Sequence, residues 1–375
     1  MTERIGTVVV GGGQAGLATG YYLQRAGREF TILDAGERVG DPWRARWDSL
    51  RVFTPARYDG LPGFPFPAPR HHFPTKDEVA DYLEAYADRF DLPVELGVRV
   101  DGLRREGDRY ELTAGDRRLV ADDVVVAMAS FQVPTVPAFA DGLDPDVVQL
   151  HASDYRNPDQ LADGDVLVVG AGNSGAEIGL DVADGRRVWL SGREVGHVPF
   201  PIESWFGRHV GIPLVIRGLY HRVLTTSTPM GRRRRPEILS HGGPLVRTRP
   251  SDIAAAGIER VPRTTGVESG RPVVGEDRVL DVANVVWCTG FRPDFSWIDL
   301  PVFGGVEAPT EPVHDRGVVP DAPGCYFVGL FFLHAMTSGL LTGVARDARY
   351  VVDHLDARSR GAPVSRGSRL GAPSV

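Results

Sequence analysis

The residues most able to do chemistry lie in two glycine clusters. Gly11-x-Gly13-x-x-Gly16 follows the apolar, β-branched run 8–10, and Gly170-x-Gly172-x-x-Gly175 follows the similar run 166–169. Glycines at this spacing let a strand turn tightly into a helix while the backbone approaches a pyrophosphate. The helix then aims its free N–H groups and positive dipole end at that anion. Gln14 and Ala15 open the first helix, and Asn173 and Ser174 the second. The residue closing each unit lies 18 positions after the last glycine: Asp34 in the first, Arg193 in the second. An acid there accepts from a ribose 2′-hydroxyl, whereas an arginine pairs with a 2′-phosphate. The first copy therefore reads as an FAD site and the second as an NADPH site. The plainer alternatives are glycine-rich turns with nothing bound and an ordinary surface arginine.

Elements must hold these turns in place. Each glycine turn sits inside a strand–helix–strand pattern, and each unit is closed by another buried run, 122–130 and 285–290, ending near Ala129 and at Thr289-Gly290. A duplicated unit of this kind predicts an α/β protein with two Rossmann-like dinucleotide-binding domains, the NADPH domain inserted into the FAD domain. The expected boundaries are 1–155 with 291–357 for the FAD domain and 156–290 for the insert. Residues 358–375, rich in Gly, Ser, Pro and Arg, are expected to be a disordered tail. Residues 40–67 hold aromatics, prolines and arginines with no period, as a loop over a flat cofactor would. Trp43, Trp47, Leu50 and Phe53 there either wall the flavin or cover the sheet edge, and Thr54 joins the expected FAD contacts. Thr75 and Glu78 form a capping box for an amphipathic helix over 77–90. Strands are expected over 94–100, 109–114, 117–120, 259–261, 279–281 and 325–330, the last ending at Gly329, with a helix from about Ser338. Residues 196–250 read as helices over a pocket, on a partner or, less readily, on a membrane surface.

At 375 residues, 42% apolar and 24% charged, the chain has the composition of a soluble globular protein of about two domains. A net charge of −7 argues against a nucleic-acid partner. The basic run 232–235 reads as a solvated loop. Cys288 and Cys325 form no CxxC, which removes a redox-active dithiol. No Ser/His/Asp series or metal-ligand spacing stands out, so no catalytic side chain and no metal is assigned. His151 and His334 read as structural more readily than as positioning groups. With no leader pattern and no long apolar stretch, the expected location is cytoplasmic, without a membrane span.

The chain resembles the flavin-containing monooxygenase superfamily, and within it the short bacterial flavoproteins close to plant indole-pyruvate monooxygenases. The likeness covers about residues 7–355. It rests on the FAD glycines, the GNSGAEI form of 172–178, Arg193, His151-x-x-x-Tyr155, Thr289-Gly290 and Gly329. The resemblance implies that NADPH reduces FAD, that O2 adds to the reduced flavin, and that the hydroperoxide passes one oxygen atom to a small organic substrate. It also implies that a strand near Val100 lies against the adenine, and it admits a homodimer. Two departures stand beside it. The spacer between Phe139-Ala-Asp-Gly142 and His151 is long, and Phe53 falls where amine-oxidising members carry an asparagine. The other readings are an NADPH-dependent flavin reductase or oxidase without oxygen insertion, and a non-catalytic nucleotide sensor.

Overall fold

The computed structural model describes residues 2–241, 243–304 and 311–361. In chain order the first domain opens with β1 (Thr2–Val10), α1 (Gln14–Arg25) and β2 (Phe30–Leu33), followed by a short α2 (Asp41–Arg44) and α3 (Lys76–Arg89). It continues with β3 (Val94–Glu95), β4 (Gly102–Glu106), β5 (Arg109–Ala114) and β6 (Arg117–Val126). A crossover strand β7 (Val133–Pro134) leads to the second domain: β8 (Val148–His151), β9 (Val166–Val169), α4 (Asn173–Asp181) and β10 (Val188–Ser191). Then come the irregular helix over 205–223, α5 (Pro229–His241), α6 (Pro250–Ala255), β11 (Glu259–Val261) and the meander β12 (Thr264–Glu268), β13 (Arg271–Val274) and β14 (Arg278–Val279). The strand β15 (Asn284–Trp287) closes this domain. The chain returns through β16 (Phe291–Arg292), β17 (Ile298–Asp299), β18 (Cys325–Phe327) and α7 (Leu341–Ser359).

Two parallel cores organise this chain. β1 lies between β2 and β6, with Val8 beside Thr31 and Val124, and Val10 beside Leu33 and Val126. β18 adds to the far side of β6, so residues 325–327 complete a sheet begun more than 300 residues earlier in the sequence. The second sheet runs β11-β10-β9-β15-β8 and lies in sequence between β6 and β18. That is the nested arrangement the duplicated glycine units predict. Val166–Val169 and, after the hydrogen-bonded Asn284, residues 285–287 are apolar on both faces because helices and loops cover both sides of a parallel sheet.

Several boundaries differ from the sequence reading. β6 is one ten-residue strand, where the sequence suggested two. Its first half alternates in burial and its last four residues are wholly buried. The run 94–100 pairs only over Val94–Glu95. Past it the chain follows the end of β2 through Gly97 N–H to Gly36 O (2.8 Å) and Val98 N–H to Asp34 O (2.8 Å). Val148–His151 pairs with β15, so the second sheet takes up the chain before residue 155. At the C-terminus Arg358 and Ser359 belong to α7, while residues 362–375 of the expected tail lie outside the described residues. The capping box is present: Thr75 Oγ1 accepts Glu78 N–H (3.2 Å) and the Glu78 carboxylate accepts Thr75 N–H (2.8 Å).

Arg358 is held in α7 by a buried charge. Asp123, wholly buried on β6, accepts from Arg358 (2.5 Å) and from Arg28 (3.2 Å). Removing it strands two guanidiniums, but both are partly exposed and can turn to water. Asp123→Ala is therefore expected to cost about 3 kcal/mol, the lower end for breaking a buried pair. Asp123→Asn, which keeps an acceptor, should cost less. Denaturant unfolding of the two variants checks the order.

Candidate functional site

The first turn is built as its glycines require. Gly11 takes φ +110°, and a Cβ on Gly16 would lie 1.8 Å from the Gly11 carbonyl oxygen. A Cβ on Gly13 would meet nothing within 4 Å, so the start of α1 faces open space. Asp34 at the end of β2 accepts Gly12 N–H (2.5 Å) on one oxygen and Gly36 N–H (2.7 Å) on the other. Its carboxylate is thereby fixed beside the turn with lone pairs to spare. Gly329, at φ +85°, comes so close to α1 that a Cβ there would sit 2.7 Å from Ala15 Cβ. Gln14 joins the remaining parts: its amide donates to Gly339 O (3.3 Å) and accepts from the Trp43 indole N–H (3.3 Å). The turn, Trp43, Gly329 and the start of α7 thus surround one place.

The second turn repeats the geometry. Gly170 takes φ +110°, a Cβ on Gly175 would lie 1.7 Å from Gly170 O, and one on Gly172 would meet nothing within 4 Å. Gly170 N–H bonds Ser191 O (2.8 Å), which sets the end of β10 against the turn and leaves Arg193 exposed just beyond it. Each turn thus leaves room exactly where a pyrophosphate needs it and has backbone where a side chain would clash. Both fit a dinucleotide.

Other expected contacts are employed differently. Asn173 spends its amide on the protein, donating to Pro244 O (3.0 Å) and accepting Val246 N–H (2.9 Å), which seats residues 244–246 on α4. The Thr289 hydroxyl donates to Thr135 O, and Gly290 O accepts Thr135 N–H (3.0 Å). These residues join the outgoing and returning crossovers, where β7 pairs with β16. Ala129 O accepts the Gln132 amide (2.9 Å), and Val100 is half-buried against the first domain's core without strand pairing. Leu50 and Trp47 pack into the second domain's core with Tyr155 and Val286, so they wall the neighbouring domain and Trp43 alone of the group reaches Gln14. The loop 43–60 is a strap between the domains: Asp48 N–H bonds Arg156 O (2.8 Å), and Arg247 donates to Val52 O (2.7 Å). Long-range packing of this kind leaves no period in the sequence.

Both histidines are hydrogen-bonded within the protein. His151 has both ring nitrogens engaged, by Ser153 (2.8 Å) and Gly290 O (3.1 Å), and burial lowers its pKa. His334 pairs with Thr226 (2.9 Å), and burial among arginines pushes it down to about 3. Cys288 and Cys325 are free, and burial pushes each thiol up to about 12, so neither offers a thiolate for redox exchange.

The sequence reading missed a second set of groups. Thr54 donates to Asp59, a wholly buried carboxyl that burial pushes up to about 8. Glu177, one turn into α4, is pushed up to about 7 by burial, against the pull of Arg247. Between the domains, Phe131 (54% exposed) lies 6.0 Å from Phe291 and 6.3 Å from Phe331 by ring centroids. The Arg46 guanidinium stands 5.4 Å from the Phe291 centroid and has no acid partner among the described residues. An acid inside an apolar loop (Asp59) and an acid two residues after a glycine motif (Glu177) were visible signals. The Phe131, Phe291 and Phe331 meeting was not.

Comparison with known proteins agrees with this geometry. Residues 8–197 match the pyridine nucleotide-disulphide oxidoreductase family. A CzcO-like oxidoreductase of Geobacillus kaustophilus is 37% identical over 95% of this chain and 99% of its own length. An indole-3-pyruvate monooxygenase of Oryza sativa, YUCCA1, is 33% identical over 61% of each chain. A flavin-containing monooxygenase from Stenotrophomonas maltophilia superposes with a TM-score of 0.75 at 27% identity, over 95% of this chain and 99% of that one. The chain therefore belongs to the pyridine nucleotide-disulphide oxidoreductase family and, within it, to the flavin-containing monooxygenase superfamily, as an oxidoreductase that works with FAD and a nicotinamide dinucleotide.

Proposed function

We propose that this chain is an NADPH-consuming monooxygenase that transfers one oxygen atom of O2 to a small organic substrate. The observation that carries the reading is the pair of matching cradles in one polypeptide, the second with an exposed arginine at the 2′-phosphate position. When bound, FAD would supply the redox chemistry that links the nicotinamide to O2. The protein's part is binding, orientation and exclusion of water. Gly11, Gly13 and Gly16 admit the FAD pyrophosphate to the N–H groups of Gln14 and Ala15, and Asp34 takes the ribose hydroxyl. Trp43, Thr54, Ala129 and Gly329 would hold the flavin end, and the stretch through Val100 would hold the nucleoside. Gly170, Gly172, Ser174 and Gly175 admit the NADPH pyrophosphate, and Arg193 holds the 2′-phosphate. Asn173 and Thr289-Gly290 act one step away by seating residues 244–246 and joining the crossovers.

Cys288, half-buried, and Cys325, buried, are both unpaired and form no CxxC dithiol, which counts against a disulfide reductase. Monooxygenase and oxidase differ in the fate of oxygen. The test is a substrate panel read as O2 uptake against peroxide release. Indole-3-pyruvate, named for the rice relative, and other carboxylates belong on it because Arg46 stands uncompensated beside Phe291. Peroxide release equal to NADPH consumption with every substrate would leave only the oxidase. Arg193→Ala should raise KM for NADPH by about 1–3 kcal/mol of lost charge-assisted bonding, roughly 5- to 150-fold, with KM for NADH unchanged. Equal use of NADH and NADPH by the unaltered protein would remove the role given to Arg193.

A further inference from the structure

The helix over 205–223 has a solvent face that no dinucleotide site explains. Its turns are π-helical over Gly207–Gly211 and Pro213–Val223. Trp205, Val210, Leu214, Leu219 and Val223 recur at intervals of five, four, five and four residues, about one π turn each, and so form a single stripe. The stripe is exposed: Trp205 is 71% and Leu214 69% accessible. Of the 14 large apolar residues exposed among the described residues, eight lie between 205 and 239. The opposite face is ordinary core, with Ile212, Ile216 and Tyr220 buried against Phe73, Phe332 and Met336. Apolar exposure on this scale marks a surface that something covers.

Charge says what covers it. Residues 205–241 carry seven arginines against one glutamate, in a chain of net charge −7. Arg217 and Arg222 are exposed on the helix, and Arg232 and Arg233 are exposed on α5, while Arg234 and Arg235 are paired with Glu237 and Glu311. A second copy of the chain is a poor cover, because a two-fold contact sets the same patch against itself and opposes arginine to arginine. An apolar stripe with a tryptophan at one end and arginines around it is the pattern of a helix lying in an anionic lipid interface. No helix among the described residues is long and apolar enough to cross a membrane, so the contact would be peripheral.

We propose that the helix over 205–223 and the adjoining arginines of α5 form a docking surface for an anionic membrane. The apolar stripe enters the headgroup boundary, and the arginines pair with lipid phosphates. Phe332, three residues past Gly329, underlies the same helix, so docking sets the flavin side of the molecule toward the bilayer.

The test is co-sedimentation of the FAD-loaded full chain with vesicles of phosphatidylcholine alone or mixed equally with phosphatidylglycerol. The expected result is binding to the mixed vesicles only, weakened by about 0.5 M NaCl, where screening is short-ranged. Val210→Ser with Leu214→Ser, and separately Arg217→Gln with Arg222→Gln, should each weaken binding at least tenfold. Both pairs should keep flavin absorbance and NADPH oxidation, which shows that they fold. The arginine pair leaves the apolar stripe itself unchanged, losing only the Arg217 guanidinium over the Tyr58 ring (5.7 Å), and so stands if the serine pair proves unstable. The proposal is overturned if the chain ignores mixed vesicles at low salt, or binds both kinds alike. A two-chain mass in sedimentation velocity that falls to one chain in the serine pair would also overturn it, by assigning the stripe to a second copy.

Discussion

Gly16→Ala should yield a protein that purifies without yellow colour, while Gly175→Ala should stay yellow and lose reduction by NADPH. The cause is the same at both positions. A methyl group on Gly16 would sit 1.8 Å from the Gly11 carbonyl oxygen, and one on Gly175 would sit 1.7 Å from that of Gly170. No backbone oxygen tolerates a carbon at that distance, so the helix must move off its strand. The N–H groups that hold the pyrophosphate move with it. Gly175 has a further neighbour in Cys288 Cβ at 3.3 Å, which blocks one direction of relief. A shift of about 1 Å between bound reactants costs roughly 100-fold in rate, so flavin reduction by NADPH in Gly175→Ala should fall by about that factor. Dithionite should still reduce the flavin, which separates a damaged nicotinamide site from a damaged fold. Flavin content and anaerobic reduction are the measurements. Loss of flavin in Gly175→Ala with retention in Gly16→Ala would reverse the assignment of the two cradles.

The second large effect concerns Asp59 and is a matter of pH. Its carboxyl is wholly buried, and burial pushes it up to about 8, against the hydrogen bond from Thr54. One of its oxygens, Oδ2, has no partner. In the unfolded chain the same group ionises near 4. Between about pH 4 and 8 the native protein therefore keeps a proton that the unfolded chain has lost. The contribution to stability is whole below that window, declines through it, and is gone above pH 8. Over four units the decline reaches about 5 kcal/mol at the most. Asp59→Asn keeps an acceptor for Thr54 and cannot ionise, so it should escape the decline. The variant should be more stable than the parent at pH 8–9, and the difference should shrink toward pH 5. His221 and His334, pushed down to about 4 and 3 by burial and nearby arginines, act in the opposite sense, favouring the fold at higher pH and withdrawing that support as it falls. They are common to both proteins and cancel in the comparison. A constant difference from pH 5 to 9 would mean that Asp59 is ionised throughout. Thr54 lies on the same strap as Trp43, which bonds Gln14 at the first glycine turn, so flavin affinity is expected to follow the same pH trend.

Both cradles were legible because everything that makes them is local. A strand, three glycines, a helix start, a second strand and a closing charge lie within about 30 residues, and each part has a residue type that physics requires. The capping box at Thr75 and the buried closing strands were readable for the same reason. Nesting one unit inside the other also followed from order alone, since the second glycine turn interrupts the first sheet before β18 completes it.

Partnership between distant residues was not legible. Trp43, Trp47 and Leu50 are neighbours in sequence and look alike, yet Trp43 bonds Gln14 beside the flavin turn while Trp47 and Leu50 enter the other domain's core. Asn173 sits inside the nucleotide motif, but its amide is consumed by residues 244–246. The sequence by itself determined the two dinucleotide cradles and their order, because backbone clearance and charge at a turn depend on adjacent residues. Only the tertiary structure decided which side chains meet at the first glycine turn, which carboxyl is buried, and which face of the insert is left bare. Those outcomes depend on what the rest of the chain brings within a few ångströms, and no periodicity encodes that.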